Sequence, residues 1–192
     1  MSEEMKIAIT GSIGSGKSTV SAYIKDKGYH VFDCDAYNAF LLEKGHEGYR
    51  RVKETFPEAF EGSKLNKKTL AGIVFNDPGK KALLESILHP LIIEEMIKES
   101  KAHDPFFAEV PLLFESGLEG LFDRSLLIVC DEDIALERLV LRGMEKEEAQ
   151  RRIRSQMSVE KKIYRADEII YNNGNLWDLY KETDKWLRKY AG

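Results

Sequence analysis

The residues best suited to chemistry lie in one short run, Gly11-Ser12-Ile13-Gly14-Ser15-Gly16-Lys17-Ser18, which satisfies the spacing G-x-x-x-x-G-K-[ST]. Glycines let such a loop wrap closely, so that successive backbone N–H groups converge on one anion. A helix opening behind the loop adds the equivalent of about half a positive charge. The pattern assigns Lys17 to the β- and γ-phosphates of a nucleoside triphosphate and the Ser18 hydroxyl to Mg²⁺, with Thr19 adding a hydroxyl near the α-phosphate. The plain alternative is a glycine-rich turn with no ligand. Both the spacing and its place between an apolar run and a helical one favour nucleotide binding.

Elements must position that loop. Met5 to Thr10 is a short apolar run with β-branched residues and reads as a buried strand, with a helix from Lys17 to Lys27 closed by Gly28 and a second strand at His30 to Asp33. From Tyr37 to His103 the pattern is helical alone, with segments at Leu65 to Phe75, Ala82 to Leu88 and Leu91 to Ile97. Asp77-Pro78 is a good helix start, and His89-Pro90 reads as a helix break. Strands return at Phe106 to Val110 and Ser125 to Cys130. Helices follow at Asp133 to Leu141 and Glu145 to Gln156, then a strand at Glu168 to Tyr171 and a helix at Asn175 to Tyr190. Strands separated by helices predict a parallel sheet covered on both faces.

Composition bounds the function. Hydrophobic residues are 43% of the 192 and charged residues 32%, enough apolar material for a real core. A net charge of -4 argues against nucleic acid as the main partner. Two cysteines, Cys34 and Cys130, without paired spacing argue against a secreted disulfide scaffold and against a zinc site. The start, Met1-Ser2-Glu3-Glu4, lacks signal-peptide character, and no run approaches the roughly 18 apolar residues of a membrane span. The expectation is a cytoplasmic protein with no membrane partner, and nothing in the sequence requires an oligomer.

Within the nucleotide-binding class, a GTPase needs a guanine-reading N-K-x-D element, and Asn66-Lys67-Lys68-Thr69 ends in threonine. The chain is short for a motor or ring ATPase. A small-molecule kinase fits better, and needs a base near the acceptor hydroxyl and arginines over the transferring phosphate. Asp35 follows a strand next in sequence to the phosphate-loop helix, and strand C-terminal ends in such sheets face the ligand crevice; it equally fits a helix N-cap. Arg142 and Arg138 end a helix, where a cation also suits the dipole. Arg151, Arg152 and Arg154 share a helix with Glu147 and Glu148 at i,i+4 spacing, sufficient for a plain charged face. His89 reads as an acceptor contact or a packed junction, Glu115 as an acceptor contact or a cap, and Asn173-Gly174 as a backbone cradle for adenine or a tight turn.

Taken in order, the motifs resemble the dephospho-coenzyme A kinase family. Thr10 to Thr19 reads TGSIGSGKST, Asp33-Cys34-Asp35 stands for its D-A-D, and Leu84 to Pro90 matches its helical segment ending in H-P. Val110 to Glu115 is its V-P-L-L-F-E, and Arg152, Gln156, Ala166-Asp167 and Asn173-Gly174 meet its late R-x-x-x-Q…A-D…N-G pattern. Ser12 and Cys34 depart from the family's glycine and alanine, both by small residues.

The resemblance, from about Lys6 to Gly174, implies an α/β three-layer P-loop kinase fold with five parallel strands in the order 2-3-1-4-5. It implies one domain over 1–192, with a core at 5–35 and 104–192, a helical acceptor-binding region near 36–103 and a lid near 143–157. The implied reaction is transfer of the γ-phosphoryl group of ATP, with Mg²⁺, to the ribose 3′-hydroxyl of dephospho-coenzyme A. By the same resemblance Asp35 takes the hydroxyl proton, and Arg142 approaches the phosphates. The alternatives are a nucleoside or nucleotide monophosphate kinase and a regulatory P-loop ATPase.

Overall fold

The computed structural model describes residues 5–190; the leader reading at residues 1–4 falls outside them. The chain divides into two compact units, one of Met1–Asp33 with Glu99–Gly192 and one of Cys34–Lys98. In chain order the elements are β1 (Lys6–Gly11), α1 (Lys17–Asp26) and β2 (Val31–Asp33), then α2 (Cys34–Leu41), α3 (Glu47–Thr55), β3 (Phe60–Glu61), β4 (Lys64–Leu65), α4 (Lys67–Phe75) and α5 (Pro78–Ser100). There follow β5 (Phe106–Glu109), β6 (Arg124–Val129), α6 (Glu132–Leu141), α7 (Lys146–Arg154), α8 (Val159–Arg165), β7 (Glu168–Tyr171) and α9 (Leu176–Leu187).

In the first unit the sheet runs β2-β5-β1-β6-β7 with every pairing parallel. Counting its five strands along the chain gives 2-3-1-4-5, the expected order. The continuous apolar runs of β1 and β6 follow from burial on both faces. Ile7, Ile9, Leu126, Ile128 and Phe107 point to the face carrying Val20 and Ile24 of α1 and Leu179, Trp186 and Leu187 of α9. The alternate residues Leu127 and Val129 face Ala135 of α6 and Ile163 of α8 across a cavity.

The second unit has its own core, made by Leu41, Val52, Phe56, Ala59, Leu70, Ile87 and Leu88. Two expectations are corrected here. The stretch is not helical alone, since Phe60–Glu61 pairs antiparallel with Lys64–Leu65, turned by Gly62 at φ 63, where a side chain would be strained. Nor does His89-Pro90 break a helix, because α5 runs unbroken through both residues. Pro90 is exposed, so its ring and missing N–H disturb only the solvent side. Ile87 and Leu88 before it, and Leu91 and Ile92 after it, pack on the core, and that tertiary burial outweighs the local preference against helix. Asp77 behaves as its sequence predicts, its Oδ1 accepting from the N–H groups of Gly79 (2.9 Å) and Lys80 (3.1 Å) at the start of α5. The helix α8 had no counterpart in the sequence reading.

Trp186 is 4% exposed and packs against Phe107 and Tyr190, with ring centroids 5.8 and 5.6 Å away. Trp186→Ala is expected to destabilise the sheet-bearing unit by about 3–5 kcal/mol. Urea unfolding checks this: the midpoint should fall with an unchanged slope, and an unmoved midpoint would contradict the packing described.

Candidate active site

The phosphate loop joins β1 to α1, and its shape depends on two glycines in left-handed backbone. Gly14 has φ 81 and Gly16 φ 98. A Cβ at Gly14 would lie 2.8 Å from the Ala135 carbonyl oxygen, and one at Gly16 only 2.2 Å from Nδ2 of Asn172. The conformation and the neighbours therefore both demand glycine. Thr19 and Val20 donate their N–H groups to the Gly16 carbonyl, at 3.0 and 3.1 Å, as α1 begins.

Groups outside the loop hold its carbonyls. Asn172, buried just after β7, donates from Nδ2 to the Ser15 carbonyl at 2.7 Å. Arg138 of α6 donates from Nη1 to the carbonyls of Gly14 (3.4 Å) and Ser15 (3.5 Å), and from Nη2 to the Asn172 carbonyl (3.0 Å). The Ile13 N–H donates to Oε1 of Gln156 at 2.9 Å. With carbonyls pinned outward, the loop's remaining N–H groups can face an anion.

The charged centre lies where β1 and β5 end side by side. Lys17 Nζ is 2.5 Å from Oε1 of Glu109, with side-chain exposures of 12% and 8%. The Ser18 hydroxyl donates to the same oxygen at 2.7 Å. Burial pushes the Glu109 carboxyl up, but the Lys17 hydrogen bond and charge, helped by the hydroxyls of Ser18 and Ser21, outweigh it and hold the group below its usual range. A hydroxyl and a carboxylate converging beside an ammonium give an all-oxygen donor set, the chemistry a hard cation such as Mg²⁺ accepts. Glu109 was missed in the sequence; its signal was a single acid at the end of the buried run Phe106-Phe107-Ala108-Glu109.

The other predicted residues divide. Gly11 ends β1, Ser12 lines the cavity beside Ile13, and Thr19 lies in the first turn of α1. Asn173 accepts the Asp131 N–H on Oδ1 at 2.9 Å, and Gly174 is crowded by Asp178, whose Oδ2 would lie 2.9 Å from a Cβ there. Arg142 forms the C-cap of α6, exposed and apart from the loop contacts made by Arg138. Arg152 pairs with Glu148 at 2.7 Å, the plain i,i+4 arrangement. Glu115 accepts the Met157 N–H at 3.1 Å and lies 2.8 Å from Nζ of Lys162, a side chain 1% exposed. Asp35 and His89 belong to the second unit: Asp35 is exposed in the first turn of α2, which begins one residue before it, and His89 is half-buried inside α5.

A cavity of about 550 Å³ adjoins the loop at Ser12 and Ile13 and reaches Gln156, Met157 and Lys162. That volume is within the range of small-ligand sites.

Comparison with known proteins agrees with this geometry. The family model described as Dephospho-CoA kinase matches residues 5–178. A dephospho-CoA kinase of Thermus thermophilus is 39% identical over 189 residues, covering 97% of this chain and 92% of that protein. The solved dephospho-CoA kinase from Campylobacter jejuni superposes with a TM-score of 0.71 at 29% identity, covering 96% of each chain. A shikimate kinase from Bacteroides thetaiotaomicron, at 18% identity, TM-score 0.56 and coverage of 97% and 98%, shares the fold.

The Glu109 shift predicts a pH dependence. A carboxyl held below its unfolded value, near 4.5, contributes stability that is full above that value. The contribution is lost as pH falls through the lower, folded value. Unfolding free energies measured in urea from pH 7 to pH 3 should therefore fall more steeply for the natural chain than for Glu109→Gln. Parallel slopes would remove Glu109 from the titrating set.

Proposed function

The chain belongs to the dephospho-CoA kinase family, and from that premise we infer that it transfers the γ-phosphoryl group of ATP to dephospho-coenzyme A, giving coenzyme A and ADP. The observation that carries the reading is the Lys17–Ser18–Glu109 centre at the mouth of a phosphate loop, in a chain matched by the family model over residues 5–178.

Phosphoryl transfer asks little covalent chemistry of the protein, so positioning and charge stabilisation carry the rate. The loop N–H groups take the phosphate oxygens. Lys17, held by Glu109 without ligand, is drawn to the β- and γ-phosphates when they arrive, since a multiply charged anion outcompetes one carboxylate. Ser18 and Glu109 would hold Mg²⁺, which would supply charge neutralisation to the β- and γ-phosphates. Asp35 accepts the proton of the ribose 3′-hydroxyl; its place in a helix's first turn is exposed and so accessible to an acceptor. The region near 36–103 binds the acceptor, with His89 a contact to it, and 143–157 is the lid, from whose base Arg142 reaches the transferring phosphate. Asn173 and Gly174 border the adenine. Arg138 keeps the loop in shape instead of touching substrate, and Glu115 anchors the lid's end as well as bordering the acceptor site. Dependence on ATP and the low cysteine count support a cytoplasmic setting; no described helix is long and apolar enough to cross a membrane.

A coupled assay of ADP release, with product mass measured, tests the reaction: ADP should form only when ATP and dephospho-coenzyme A are supplied together, with coenzyme A appearing in step. ADP release indifferent to the acceptor would overturn it. In the same assay Asp35→Ala should lower turnover by roughly 10²–10⁴-fold while ATP still binds, and Lys17→Ala should weaken both. Full turnover in Asp35→Ala would remove that residue from the base role.

A further inference from the structure

Both β2 and β5 begin at the sheet edge opposite the phosphate loop, and three metal-ligating side chains meet there. His30 immediately precedes β2, Glu99 lies at the end of α5, and His103 stands four residues on, just before β5. One ligand atom from each lies within 4.8 Å of the others. Nε2 of His30 is 3.1 Å, and Nε2 of His103 3.7 Å, from the same oxygen, Oε2 of Glu99. The two imidazoles lie face to face, centroids 4.0 Å apart and planes 9° from parallel.

An ordinary surface ion pair would leave these groups satisfied, and it does not account for them. Nε2 of His30 is shut off from solvent, yet despite its nearness to Glu99 it is aligned with no hydrogen-bond partner. A buried polar atom without a partner is costly. Two imidazoles and one carboxylate brought together at one place make a ligand set.

We propose that His30, Glu99 and His103 form a binding site for a divalent transition-metal cation of the zinc class. Two imidazole nitrogens and one carboxylate oxygen leave a fourth position for water. Bonds of about 2.1 Å in tetrahedral geometry require ligand atoms about 3.4 Å apart, close to the 3.1 and 3.7 Å observed. The two rings must turn out of their parallel stack for both nitrogen lone pairs to meet at one ion. Imidazole is a poor partner for Mg²⁺, so the cation that accompanies ATP does not compete. The absence of paired cysteines argued against zinc, but this cluster joins histidines 73 positions apart (103 minus 30), which no local spacing reveals. Bound metal would fasten the segment before β2 to the end of α5, near the points where the chain leaves the sheet-bearing unit after Asp33 and re-enters it at Glu99.

The test is calorimetric titration of the chelator-treated full chain with zinc chloride, without ATP, repeated with Mg²⁺ in large excess over zinc. One zinc per chain is expected, unaffected by Mg²⁺. Glu99→Gln and His103→Ala should each weaken binding about tenfold or more. The double variant His46→Ala, His89→Ala removes the other two of the four histidines and should bind as the natural chain does. Cobalt gives a second readout: the visible bands of a four-coordinate site should appear in the natural chain and vanish in His103→Ala, with circular dichroism confirming that each variant is folded. No saturable zinc binding, or affinity in Glu99→Gln and His103→Ala undiminished from the natural chain, overturns the proposal. The outcome is independent of the kinase reading, since no step of the assay involves phosphoryl transfer.

Discussion

A lysine ammonium and a carboxylate withdrawn almost wholly from water each carry a desolvation penalty of several kcal/mol, which close pairing must offset. Lys17 and Glu109 are such a pair, and the sheet is arranged to bring them together. Parallel pairing of β1 with β5 sets Ile9 beside Glu109, so the carboxylate stands two residues short of the loop's first glycine. The helix that opens at Lys17 returns the ammonium to that carboxylate. A one-residue slip in register would turn the acid to the other face of the sheet and leave a buried cation without a partner. The uniform apolar packing of Ile7, Phe107 and Leu126 beneath is what makes such a slip expensive.

The loop itself could not hold its shape alone, because its glycines provide freedom and no restraint. The restraint comes from the opposite side of β1. Pairing of β6 with β7 carries Asn172 to the Ser15 carbonyl, and α6 carries Arg138 to the carbonyls of Gly14 and Ser15. Arg138 and Asn172 are also bonded to each other, so the two supports brace one another. The order of strands is thus part of the site: the acid arrives from one neighbour of β1 and the supports from the other.

Much of this was legible. The loop spacing named Lys17 and Ser18, and alternating strand and helix patterns gave the parallel sheet. What escaped was set by contacts distant in sequence. Glu109 sat at the end of an apolar strand, where a lone acid carries no motif; its partners come from 91 and 92 positions away. Arg138 and Arg142 are indistinguishable by spacing, and only the position of α6 makes the first a support and leaves the second exposed. The helix α8 has only seven residues and its one buried side chain is Lys162, so periodicity had too little to find it by. Local rules overstated the effect of Pro90 because its exposure is not written in the sequence around it.

Two lysines meet glutamates in this unit, Lys17 with a side chain 12% exposed and Lys162 with one 1% exposed, and their surroundings differ. At Lys17 the surroundings are hydroxyl and loop N–H, and under the proposed function an arriving phosphate would replace the carboxylate with a stronger partner. At Lys162 the partner is Glu115, which also accepts the Met157 N–H, so one carboxylate ties a buried lysine to the backbone just after Gln156. That second pair fixes the chain at Met157, one residue after Gln156, whose carbonyl occupies the Ile13 N–H of the phosphate loop. Under the proposed function a phosphate oxygen entering the loop would compete with Gln156 for the same N–H, while the Lys162–Glu115 pair holds the chain at the next residue.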